Sequence, residues 1–142
     1  MAVDYDPIKA HEYYEKHKKL KGSRSTRKFT ETQKAQWEYA KDQLAQEHKE
    51  INADITEDAK EKRAQLQERA KSVITALRNR LKALPKEQRA KVKEQIQGLI
   101  SDVRENLKSD KADVTGEAKE ARADEKVAYE KRKDEAYNKI KG

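Results

Sequence analysis

A chain of 142 residues has room for one domain, and with 43% charged against 34% hydrophobic residues it lacks the apolar mass for a thick globular core. The absence of cysteine excludes a disulfide framework, a thiol nucleophile and a thiolate metal site, which fits a cytosolic or assembly context. The formal net charge is +7, the N-terminal run has no apolar signal-peptide core, and no window approaches the roughly 18 apolar residues of a membrane span, so a soluble protein without a membrane partner is expected.

Asp6 before Pro7 reads as an N-cap followed by proline at the first helical position, and Gly22-Ser23 closes the short helix expected over Pro7 to Leu20. Thr30-Glu31-Thr32-Gln33 has capping-box spacing and opens a second helix. That helix is free of proline until Leu84-Pro85, where it must stop, while Pro85 is well placed to open a third through Lys86-Glu87-Gln88. The third helix runs towards Ile140, with Gly98 and Val114-Thr115-Gly116 as weak points, the latter a candidate kink or break. Long stretches rich in Ala, Leu, Glu, Lys, Gln and Arg favour helix over disorder, so the fold class is all-α. Its expected parts are a head of residues 1–30 and a long antiparallel hairpin of residues 31–142, with arms 31–84 and 85–141.

The apolar spacing in the long helices is not a heptad. Stepping by three, four and four from Trp37 visits Leu44, Ile51, Ile55, Ala59, Leu66, Ala70, Val73, Leu77 and Leu81, with His48 and Lys62 as polar interruptions. The same steps from Val92 visit Ile96, Leu99, Val103, Leu107, Val114, Ala118, Ala121, Tyr129, Ala136 and Ile140, interrupted by Asp110, Glu125 and Arg132. An eleven-residue repeat gives a nearly straight or slightly right-handed seam. Folding back at Pro85 pairs Leu81 with Val92, Leu77 with Ile96, Ala70 with Val103, Leu66 with Leu107, Ile55 with Ala118 and Leu44 with Tyr129. It also sets Lys62 against Asp110 and His48 against Glu125, polar layers of the kind that fix register at a cost in stability. The second helix would span roughly 80 Å, a rod whose seam is thinned by Ala59, Ala70, Ala118 and Ala121, so self-association or docking onto an assembly is expected. A domain-swapped or extended dimer opened at Pro85 is the structural alternative.

Charge and aromatics concentrate at one end of such a hairpin. The segment Lys16–Lys28 holds seven bases (Lys16, Lys18, Lys19, Lys21, Arg24, Arg27 and Lys28) and no acid, while the rest of the chain balances 27 bases against 27 acids. Every aromatic residue lies at or before Tyr39 or at or after Tyr129, and these stretches meet away from Pro85. Tyr13 and Tyr14 then either pack helix one against Trp37, Tyr129 and Ile140 or serve, with the basic loop, as a docking surface. Catalysis is not expected: phosphate-loop, dinucleotide and nucleophile-elbow motifs are missing, three scattered histidines make no ligand set, and a thin rod offers no water-excluding pocket. No cofactor or metal is implied.

The run Asp4-Tyr5-Asp6-Pro7-Ile8-Lys9-Ala10-His11-Glu12-Tyr13-Tyr14, followed by Lys19-Leu20-Lys21-Gly22, resembles small proteins encoded in the structural-gene regions of tailed phages and prophages of Gram-positive bacteria. The likeness covers about the first 30 residues as motif and the rest only as Lys/Glu-rich helix. The resemblance implies a virion or head-assembly context, in the host cytoplasm during assembly or in the virion, and carries over no catalytic residues. The expected function is therefore that of a non-enzymatic structural or interaction protein, joined by other virion or assembly subunits or by copies of itself. Two alternatives are a non-specific nucleic-acid-binding or packaging protein using the seven loop bases as phosphate contacts, and a small inhibitor of a host defence system.

Overall fold

The computed structural model describes residues 3–16 and 24–142, with the backbone alone for 13–16. It is all-α, with α1 over Pro7–Lys16, α2 over Glu31–Ala83 and α3 over Lys86–Lys141. The expected end of helix one at Leu20 and the Gly22-Ser23 stop lie outside the described residues.

The local signals act through the bonds their spacing requires. Asp6 Oδ1 accepts from the amide of Ile8 at 2.9 Å and caps α1. At the start of α2 the amide of Gln33 donates to Thr30 Oγ1 (3.2 Å) and the amide of Thr30 donates to Gln33 Oε1 (2.9 Å), a reciprocal capping box. At the hairpin turn the amides of Gln88 and Arg89 donate to the Pro85 carbonyl. Arg89 adds a contact that no motif announces: Nε donates to the Leu84 carbonyl (2.9 Å) and Nη2 to the Lys82 carbonyl (2.8 Å), satisfying acceptors orphaned at the end of α2.

The chain forms two compact units, Met1–Asp54 with Arg122–Gly142, and Ile55–Ala121. In the first unit, Trp37, Ala40 and Leu44 of α2 pack with Ala136 and Ile140 of α3 and with Phe29, and Val3, Tyr5, Tyr129 and Tyr137 close around them. The N-terminal segment is docked on α2. Asp4 and Gln43 exchange two hydrogen bonds, Gln36 Nε2 donates to the Tyr5 carbonyl at 2.8 Å, and Ala10 of α1 is completely buried.

The second unit is a two-helix hairpin with a thinner seam. Ile55 and Ala59 meet Val114, Ala118 and Ala121; Leu66 and Ala70 meet Val103 and Leu107; Leu81 meets Ile96 and Ile100. These groupings keep the antiparallel register, but four expected seam positions are corrected. Val73 and Leu99 are 46% and 50% exposed, and their neighbours Ile74 and Ile100 turn inward instead. Lys62 and Asp110 are exposed while Arg63 and Lys111 are half-buried, and the Lys62 ammonium pairs with Asp58 of its own helix at 3.0 Å, not with Asp110. The cause is geometric. Adjacent residues flanking a seam point to opposite edges of it, and one neighbouring helix cannot cover both.

The candidate kink or break at Val114-Thr115-Gly116 is absent, because α3 passes through Gly98 and Gly116 as one helix. Thr115 Oγ1 donates to the Lys111 carbonyl (3.1 Å) and accepts from Arg63 (3.1 Å), so the polar residue beside Gly116 is satisfied within helical geometry. A methyl group on either glycine would meet nothing within 4 Å. Gly98→Ala and Gly116→Ala should therefore each raise the unfolding free energy in chemical denaturation by about 0.5–1 kcal/mol; a loss of stability at Gly116 would show that the helix needs a break there.

Candidate functional site

The basic loop enters the first unit through Arg24. Its Nε donates to Asp134 Oδ1 at 2.7 Å, Nη2 reaches Glu130 at 3.3 Å, and the guanidinium lies 5.9 Å from the Trp37 ring centre. These carboxylates hold the guanidinium proton more tightly than usual, although burial works in the opposite direction. Arg24 thus pins the loop to α3.

Just beyond it, Tyr137 donates its hydroxyl to the Ser25 carbonyl, and Phe29 stacks on Tyr137 with ring centres 5.3 Å apart. Tyr137 also meets the Trp37 ring edge-on at 5.4 Å. Against this aromatic floor opens a cleft of about 470 Å³ whose rim carries Arg27, Lys28 and Lys141. Gln33 lines its back, fixed by its part in the capping box and by donating Nε2 to the Ile140 carbonyl at 3.1 Å. Three cations around stacked rings make a site for an anionic group with flat or apolar surface beside it. Arg27 and Lys28 were candidates from the sequence. Lys141 was not, although the antiparallel pairing that sets Gln33 beside Ile140 brings it there. The side chains of Tyr13, Tyr14 and Lys16, and all of Lys18, Lys19 and Lys21, lie outside the described residues.

A second polar constellation surrounds His48. The Asn52 amide nitrogen lies 3.2 Å from Nε2, and Nδ1 lies 3.2 Å from Glu125 Oε1, a geometry that suits the tautomer with its proton on Nδ1. Tyr129 stacks on the imidazole with centres 4.3 Å apart, and Lys133 lies over the other ring at 4.4 Å. Arg132 bonds the same Glu125 oxygen, and Glu47 is 3.9 Å from Arg132 Nε. This is a packed polar layer with every member turned towards another. Among the described residues no three His, Asp or Glu side chains gather as metal ligands.

Glu125 is only 8% exposed, yet its carboxyl is held below the usual carboxylate range, first by the Arg132 hydrogen bond and also by His48, against the opposing effect of burial. A depressed carboxylate contributes stability that is present above its unfolded-state pKa and lost as pH falls through the folded value. Comparison with known protein families, with curated proteins and with solved structures gives no match. For the polar layer, Glu125→Gln should cost about 1–3 kcal/mol at pH 7. The gap from wild type should close below about pH 4, as followed by thermal melts; a gap independent of pH would mean that the ionised carboxylate is not what the layer uses.

Proposed function

We propose that the chain is a non-enzymatic interaction protein of tailed-phage virions or head assembly, which docks an acidic partner surface through the cleft of its first unit. The observation that carries the docking reading is the grouping of Arg27, Lys28 and Lys141 over the stacked Phe29 and Tyr137, in a unit where Arg24 and Arg132 are already bound to carboxylates. A charged rim around aromatic anchors gives steering from the charges and affinity from the rings. The assembly context rests on the likeness of the Asp4–Tyr14 motif.

Self-association belongs to the same proposal and is supported by the second unit. Val73 and Leu99 stand half-exposed along one edge, where α3 presents Asp110 and Glu117 and α2 presents Lys62 and Arg69, so a second copy in the opposite sense sets acids against bases around an apolar strip. Mass spectrometry of particles purified from the host that carries the gene should find the protein in many copies per particle. Arg27→Glu with Lys28→Glu should deplete it from the particles by about tenfold or more while leaving its helical content unchanged. Absence of the wild-type protein from the particles would refute the virion reading, and unchanged incorporation of the double variant would refute docking through the cleft.

A further inference from the structure

Residues 55–121 contain sixteen bases and twelve acids, a nearly balanced mixture when counted along the chain. On the folded unit they are sorted. One edge of the hairpin is marked by two bonds across the helices, Arg63 Nη1 to Thr115 Oγ1 at 3.1 Å and Lys111 Nζ to Gln67 Oε1. Further along the same edge Arg78 and Arg104 face each other across a cleft of about 440 Å³, together with Gln97 and Ser101. Steps of three and four residues from these markers carry Lys60, Lys71 and Lys82 of α2 onto this edge. Lys93, Lys108 and Lys119 of α3 join them by the same steps.

Ten of the sixteen bases therefore share one edge, on which the same steps place two of the twelve acids, Glu94 and Glu105. Asp58, Asp110 and Glu117 are on the opposite edge. Eight of the ten bases are exposed; Arg63 and Lys111, half-buried, bond only neutral oxygens, so their charge is not cancelled.

We infer that this edge of the second unit is a sequence-independent binding site for the phosphate backbone of a nucleic-acid duplex. The twenty-two helical steps from Lys60 to Lys82 rise about 33 Å, roughly one turn of B-form DNA, and two rows of cations follow that length. An array of fixed, evenly spaced phosphates is the ligand that two such rows neutralise best. Residues 55–121 include no aromatic side chain, so bases have nothing to stack on, which favours a duplex over a single strand. Of the apolar groups lining the Arg78–Arg104 cleft, Ile96 and Ile100 are 7% and 8% exposed and Leu81 is half-buried, leaving little apolar surface on which a protein interface would be built. The site is separate from the cleft of the first unit, and the inference stands without it.

The test is fluorescence anisotropy with the full chain and labelled 24-base-pair DNA duplexes of two unrelated sequences. Both duplexes should bind equally, and affinity should fall about a hundredfold to a thousandfold between 50 and 200 mM salt, as for some five phosphate contacts. A variant combining K71Q, R78Q, R104Q and K108Q should lower the magnitude of the log–log salt slope by about three to four. The charge-keeping variant K71R, R78K, R104K and K108R should restore it. Changes on the opposite edge (K62Q with R69Q) or in the first unit (R27Q with K28Q) should leave the slope unaltered. No binding by the wild-type chain at 50 mM salt would overturn the inference. So would a quadruple variant that keeps the wild-type slope, or displacement by poly-glutamate as effective as by unlabelled duplex, which would point to an acidic protein surface instead.

Discussion

The first unit depends on the burial of one indole. Trp37 is 1% exposed, and among the described residues it and Leu44 are the two largest side chains sealed almost completely from water. Three other segments of the unit reach it or its cluster: Phe29 from the loop, Ala136, Tyr137 and Ile140 from α3, and Tyr5 from the N-terminal segment. Cations close the ring face, with Lys41 at 5.5 Å and Arg24 at 5.9 Å from its centre. Emptying such a site costs about 3–5 kcal/mol, much of the margin by which a small domain is folded. The position of the loop, and with it the cleft bounded by Arg27, Lys28 and Lys141, follows from that anchor.

Away from the indole, stability comes from smaller contributions. The residues buried in the second unit are Ala59, Ala70, Ala118, Ile96 and Ile100, and its leucines are only partly covered by the single facing helix. Polar contacts supplement the seam at its margins: Arg63 on Thr115, Lys111 on Gln67, and Arg89 on the last carbonyls of α2. Each is worth little in isolation because water competes for it. A thin seam leaves most side chains of both helices in solvent, and the unit presents its character through the distribution of charge.

How much of this could be read from the sequence depended on whether the information was local. Helix starts at Pro7 and Glu31 and the turn at Pro85 follow from caps and proline, which act over three or four residues. The antiparallel pairing followed from a periodicity sustained over five turns or more, and it brings His48 to Glu125 and Gln33 to Ile140. The choice between adjacent positions was not legible: both Val73 and Ile74, and both Leu99 and Ile100, are apolar, and only the facing helix decides which is covered. The same holds for Arg24, one base among seven in the sequence but carboxylate-bound in the fold. The basic edge of the second unit was hidden for a related reason, since a linear count adds acids and bases that the helices place on different sides.

If stability is concentrated around Trp37, residue-resolved amide hydrogen exchange under native conditions will show it most directly. The slowest amides should lie in residues 37–44 and 132–140, with those of 62–74 and 99–110 exchanging about tenfold faster or more. Equal protection of both stretches, or greater protection within 55–121, would contradict the indole-centred account.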